Sequence, residues 1–271
     1  METGLKEALW LKSNKWKYRM DCMKELSLRL LESIELLYWF LDRMPNLERL
    51  NLLFSYTLEE LVPSENIAPQ ERLGTVLQLK TLYLRSSVIK NLGFDRDPLL
   101  QRLEHLLLFD CHSLVTLAPS SLSLTHLTYL EVNSCRGLMN LMAISTAKSM
   151  AQLAKMKVIE CSVQELVTNE GNEEDRVIEV VFIKLVFLEL VRLENLTSFC
   201  SYKNCEFKFP SLEILIVRDC LKMETFTVGQ TTAPKLQNVH TNEGEEEEKQ
   251  YWEGDLNSTI QKVFKDKVHI H

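Results

Sequence analysis

Residues 103–141 read LEHLLLFDCHSLVTLAPSSLSLTHLTYLEVNSCRGLMNL, and the second half of this stretch repeats the pattern of the first. Leu103, Leu106, Leu108, Cys111, Leu114 and Leu117 return 24 residues later as Leu127, Leu130, Val132, Cys135, Leu138 and Leu141. Self-similarity at a fixed period of this size marks a protein built of stacked coils. Leu106 and Leu108 are two apart, so in a strand both point to one face while the residues beside them point to the other. After the strand comes a turn, and then a return stretch with its own apolar pair, such as Leu114 and Leu117. No single coil can bury these leucines, whereas stacked neighbours bury them together. The small Cys at the strand exit fits a position that packs inward and offers a weak hydrogen bond to backbone of the next coil.

The unit is LxxLxLxxCxxLxxL, a leucine-rich repeat, and it continues in both directions. Met23, Leu26 and Leu28 give a first, degenerate strand. The crowded apolar residues of LLESIELLYWFLDRM, ending at Pro45, predict a helix on the return side. Leu47, Leu50 and Leu52 open a cleaner repeat, Leu79, Leu82 and Leu84 the next, and Leu153, Met156, Val158 and Cys161 follow the quoted pair. Leu185, Leu188, Leu190 and Leu193 resume the pattern after an acidic insertion and the apolar VIEVVF. Leu212, Leu215, Val217 and Cys220 form the last full coil, and Leu236 and Val239 a closing strand. Intervals between successive strands are 24, 32, 24, 24, 26, 32, 27 and 24 residues. The expected fold is an α/β solenoid, a horseshoe with about nine short parallel strands on its concave face and irregular or helical segments on its convex side. At roughly 4.8 Å per strand the sheet would run about 40 Å. Residues 1–22 form an irregular first segment, 23–242 the repeat domain, and 243–271 an acidic linker with a capping helix. In that ending Trp252, Leu256, Ile260 and Phe264 recur every four residues.

With 271 residues and 45% apolar composition the chain can bury a large core. Its formal charge of −7 is concentrated in Glu170–Asp175 and Glu243–Glu248, which hold four and five acids and no base, and the remainder is close to neutral. Neither a nucleic-acid surface nor a membrane-binding face follows from that balance. Four of the seven cysteines, Cys111, Cys135, Cys161 and Cys220, share one repeat position, which reads as structural thiols in a reducing compartment rather than a disulfide framework. The start METGLKEALWLKSNKWK has no apolar run of signal-peptide length, and LLYWFL at 36–41 is too short to span a bilayer. A cytoplasmic location is expected.

No glycine is followed by lysine, so a phosphate-cradling GxxxxGK[ST] loop is absent, as is GxGxxG. The cysteines and histidines lack paired metal-ligand spacing, and no metal or cofactor is expected. Cys111 followed by His112 suggests a nucleophile and base, but the cysteine occupies the buried repeat slot and turn neighbours do not face each other. The sequons at Asn195 and Asn257 are idle without secretion. No catalytic residue is therefore assigned.

What is left is the outward side of the strands. Its columns run Arg49, Asn51, Leu53; Thr81, Tyr83, Arg85; His105, Leu107, Phe109; Tyr129, Glu131, Asn133; Lys155, Lys157, Ile159; Phe187, Glu189, Val191; and Ile214, Ile216, Arg218. Aromatic and aliphatic groups among a few charges mark a protein contact surface. Cover by the chain's own insertions or by a neighbouring domain is the alternative.

MPNLERLNLLFSYTLEELVPSE, LEHLLLFDCHSLVTLAPSS, LTYLEVNSCRGLMNL, FPSLEILIVRDCLKMETFTVG and WEGDLNSTIQKVF together resemble the leucine-rich repeat region of plant intracellular disease-resistance receptors of the coiled-coil nucleotide-binding class. The resemblance covers most of residues 40–265. It implies a module that recognises a pathogen effector or a guarded host protein and helps hold a nucleotide-binding domain inactive. That domain is not within this chain. No individual ligand contact carries over from the family. A substrate-recruiting repeat domain of a ubiquitin ligase is the competing reading, and it requires an F-box-like helical segment for which residues 1–22 are too short. An extracellular ectodomain expects a secretion signal and paired cap cysteines.

Overall fold

The computed structural model describes residues 20–61, 79–92, 102–117, 123–169, 177–241 and 250–268. The basic start, the insertion around Pro63–Pro69, most of the acidic insertion and the acidic run at 243–248 lie outside the described residues. In chain order the strands are β1 (Glu25–Arg29), β2 (Arg49–Leu53), β3 (Thr81–Arg85), β4 (His105–Phe109), β5 (Tyr129–Asn133), β6 (Asn140–Ala143), β7 (Lys155–Ile159), β8 (Glu165–Thr168), β9 (Ile178–Val181) and β10 (Phe187–Val191). They continue as β11 (Cys205–Lys208), β12 (Ile214–Arg218), β13 (Thr231–Thr232), β14 (Val239–His240) and β15 (Gln250–Tyr251). Among the described residues three helices join them: α1 (Ile34–Leu41), α2 (Ile144–Ser149) and α3 (Leu256–Val268).

The main sheet runs β1-β2-β3-β4-β5-β7-β10-β12-β14-β15. Its first nine strands are parallel, as the repeat requires, and β15 closes the end antiparallel to β14. The register is that of the repeat: Leu50, Leu82, Leu106, Leu130, Met156, Leu188 and Leu215 stand side by side, and all are buried. Burying each such side chain stabilises by about 1.5–3 kcal/mol.

Two backbone devices recur. At the strand entrance one carbonyl accepts two N–H groups of the next coil: Glu104 O from Thr128 and Tyr129 at 2.8 and 3.0 Å, and Thr128 O from Ala154 and Lys155 at 2.8 and 3.1 Å. At the exit, Leu30, Phe54, Ser86, Asp110, Ser134, Glu160, Arg192 and Asp219 all adopt left-handed backbone, with φ between 51° and 57°. None is glycine, and each such residue costs of order 1–2 kcal/mol. The compensation is visible: the N–H of Ser86 reaches Phe109 O at 2.9 Å, that of Asp110 reaches Asn133 O at 3.0 Å, and that of Ser134 reaches Ile159 O at 2.9 Å.

The next residue in each coil fills the buried slot. The thiols there do bond to backbone, but toward the preceding coil rather than the next one. Cys111, Cys135, Cys161 and Cys220 direct Sγ at the carbonyls of Leu84, Leu108, Val132 and Leu190, at 3.9, 3.8, 3.8 and 3.6 Å. Each thiol also lies against the carbonyl two residues back on its own strand, of Phe109, Asn133, Ile159 and Arg218, at 3.4, 3.4, 3.2 and 3.4 Å. Hydrogen bonding to Cys111 and then Cys161, with burial added, pushes the Cys135 thiol up. It is a packed, protonated group. Cys111 is likewise buried, with its thiol aimed at backbone rather than at exposed His112.

The convex side departs from the sequence reading in one respect. Beyond α1, whose Ser33 cap accepts from Leu36 N at 3.2 Å, the return stretches were expected to be irregular or helical. From residue 140 on, several are extended and pair: β6 with β8, and β11 with both β9 and β13, all parallel. The apolar VIEVVF supplies β9, with Ile178 and Val180 inward. Its coil is long enough to lay a second strand behind the first. In the core of this half Phe182, Phe199, Phe207, Phe209 and Phe226 are wholly buried, with ring centroids 5.1–6.3 Å apart.

The C-terminal helix is present, with a stripe different from the one expected. Leu256, Thr259, Ile260 and Val263 are buried, whereas Trp252 precedes the helix and is exposed. Asp255 caps the helix, accepting from Ser258 N at 2.9 Å and Oγ at 2.6 Å. These bonds, the side-chain one first, hold its carboxyl below the usual range. Asn257 ties the helix to the last coil: its Oδ1 accepts from Thr227 N at 2.8 Å and its Nδ2 donates to Gly229 O at 3.3 Å.

Candidate protein-binding face

Period-two alternation sends the second and fourth residues of each five-residue strand into the core and the first, third and fifth outward. Parallel register then stacks the outward residues into three columns. The first runs Glu25, Arg49, Thr81, His105, Tyr129, Lys155, Phe187 and Ile214. The second runs Ser27, Asn51, Tyr83, Leu107, Glu131, Lys157, Glu189 and Ile216, and the third Arg29, Leu53, Arg85, Phe109, Asn133, Ile159, Val191 and Arg218. All twenty-one residues of the columns read from the sequence therefore stand on one face.

Neighbours in these columns touch. Asn51 Nδ2 donates to Glu25 Oε1 and Ser27 Oγ, both at 2.9 Å. Tyr83 and Phe109 stack at 5.3 Å, and His105 meets Tyr129 edge-on at 6.1 Å. Thr81 Oγ1 and His105 Nδ1 are 3.2 Å apart. Tyr129 donates its hydroxyl to Glu131. Burial first, and that carboxylate second, push the Tyr129 hydroxyl up, so it stays a donor at neutral pH. Lys155 lies over two rings, 4.5 Å from Phe187 and 5.8 Å from Tyr129. Glu189 binds Lys157 at 2.8 Å and Arg218 at 3.5 Å.

The face is not uniformly open. Glu189 and Val191 are buried at 8% and 5%, which the alternating pattern did not foretell. At the other end an open pocket of about 350 Å³ is lined by Arg29, Asn51, Leu53, Phe54, Tyr83 and Arg85. The sequence columns began at β2 and so omitted Arg29, although alternation about Leu26 and Leu28 carries it. Phe54 was beyond sequence reasoning, because it reaches the pocket from the left-handed turn.

Among the described residues no group of three or more His, Cys, Asp or Glu could hold a metal ion, and no helix is long and apolar enough to cross a membrane. Residues 117–243 match the family model for the leucine-rich repeats of plant disease resistance protein RPS2-like proteins. Searches of curated proteins and of solved structures returned no significant match. The first four strands and the pocket precede the matched segment and continue its register without a break. The chain is a parallel leucine-rich repeat solenoid whose repeats, across residues 117–243, are similar to those of plant disease resistance RPS2-like proteins.

Proposed function

We propose that this chain is the protein-binding module of a plant innate immune receptor, which recognises a pathogen effector or a guarded host protein in the cytoplasm through the outward columns of the main sheet. In a longer receptor the module contributes to autoinhibition by contact with the nucleotide-binding domain. The observation that carries this reading is the half-buried aromatic and charged ladder from Tyr83 to Arg218, placed on repeats of the resistance-protein type. Apolar rings with fixed polar neighbours favour macromolecular contact over plain solvation. A non-catalytic role agrees with side chains on this face that are engaged with one another rather than poised toward a substrate.

The test is capture of candidate effectors and host proteins by the tagged chain, with Tyr83→Ala and Phe109→Ala beside the intact sequence. Both variants are expected to melt like the parent and to lose partner binding by on the order of tenfold or more. Variants that fold and bind like the parent would remove the face from consideration. Recovery of a ubiquitin-ligase scaffold subunit instead would support the competing assignment.

A further inference from the structure

On the reading of this face as a protein-binding surface, its charge is out of step with the chain. Its columns hold Arg29, Arg49, Arg85, Lys155, Lys157 and Arg218 against Glu25, Glu131 and Glu189, a surplus of three positive charges on a chain of formal charge −7. All three acids are engaged within the face: Glu25 with Arg49 at 3.9 Å and with Asn51, Glu131 by the Tyr129 hydroxyl, and Glu189 by Lys157 and Arg218. Arg85 is steadied through Nε by Asp110 of the adjoining turn at 3.6 Å. Among the described residues neither Arg29 nor Lys155 has an acidic partner. Lys157 and Arg218 share Glu189, so the two cations without an acidic partner mark two other places. One is the pocket, where Arg29 and Arg85 flank Leu53 in one column. The other is Lys155, held between two rings. Lys155 is five strand spacings from Arg29 and three from Arg85, so the middle of the pocket at Leu53 is four spacings away, roughly 19 Å across the sheet, with the Tyr83–Phe109 stack on the way.

We propose that the partner presents an extended acidic segment that crosses the strands, one carboxylate held between Arg29 and Arg85, a second on Lys155, and apolar side chains on the Tyr83–Phe109 stack. An extended chain covers this span in roughly six residues. The guanidiniums offer forked donors to a carboxylate, and the ring-flanked ammonium offers a charge already stripped of part of its water. Charge complementarity selects such a segment and repels a basic one.

The experiment uses the full chain and a labelled synthetic peptide of about twelve residues, acidic at both ends with Leu, Tyr and Phe between. Competitors are the same peptide with lysines for the acids and a single-stranded oligonucleotide of similar length. Anisotropy is expected to show saturable binding of the acidic peptide, weakened on the order of tenfold by physiological salt. Arg29→Ala with Arg85→Ala, and separately Lys155→Ala, are each expected to weaken it on the order of tenfold with unchanged melting. The inference is overturned by equal or tighter binding of the lysine peptide or the oligonucleotide, by failure of the acidic peptide to bind, or by indifference to both sets of substitutions. If it fails while Tyr83→Ala still abolishes partner capture, the face keeps its role and only the acidic selectivity is lost. If Tyr83→Ala has no effect either, both fall.

Discussion

The two halves of the solenoid share a front and differ at the back. From β1 to β5 the return stretches carry leucine pairs such as Leu114 and Leu117, and the described residues form no second sheet there. From β6 onward several return stretches are themselves strands, and five phenylalanines pack in the core of that half. Yet the exit turns at Asp110 and Asp219, one in each half, have φ values of 55° and 52°. Front geometry is set by a short strand-and-turn unit. The rear accepts whatever apolar filling the length of the coil permits.

The most damaging change should be one that strikes the shared front. Leu130→Asp places an unpaired charge in a fully buried column beside Leu106 and Met156, and is expected to cost about 3–5 kcal/mol and to loosen coils on both sides. A denaturant midpoint like the parent's would contradict the register. Next comes a contrast between the two rears. Phe199 touches four other rings, so Phe199→Ala should cost about 4 kcal/mol, while Leu117→Ala costs about 2–3 kcal/mol. Equal losses would mean that the aromatic filling stabilises no more than a leucine does, despite its larger volume.

A smaller effect is expected at Gly137, where a Cβ would stand 2.3 Å from His112 O and 2.8 Å from Leu114 O. Gly137→Ala must push two coils apart, at about 1–3 kcal/mol, and thermal melting would report it. The smallest belongs to the end cap. The folded-state carboxyl of Asp255 lies below its ordinary value, so its contribution is present above the usual aspartate range and fades as pH falls through the folded value. Asp255→Ala should cost under about 1 kcal/mol at neutral pH, given its exposure, and the difference should close in strong acid. A gap independent of pH would assign the cap to backbone geometry instead.

How far the sequence could be read follows from the same comparison. Leucines two apart specify a strand whatever surrounds them, so Leu106 and Leu108 announced both the sheet and its register. The outward columns came with them, because period two leaves no other place for Tyr83 or Lys155. The second sheet was not legible. VIEVVF reads equally well as any buried run, and its role depends on pairing with CEFK some 25 residues later. The C-terminal stripe was misplaced for a related reason: Thr259 is buried by a helix that meets the last coil through Asn257, and a hydropathy count passes over a threonine. The pocket lay hidden because Phe54 enters it from a left-handed turn that no glycine advertises.

Those recurring turns have a mechanical consequence. At seven of the eight, Leu30 through Arg192, the N–H passes forward to the next coil at a fixed spot, so the pitch of the ladder there does not depend on how many residues the chain spends behind it. Coils with 24-residue and 32-residue strand intervals are held at the same step. The hollow side thus behaves as a ruler with evenly spaced marks, on which side chains can be exchanged one at a time while the distances a bound molecule must match stay unchanged.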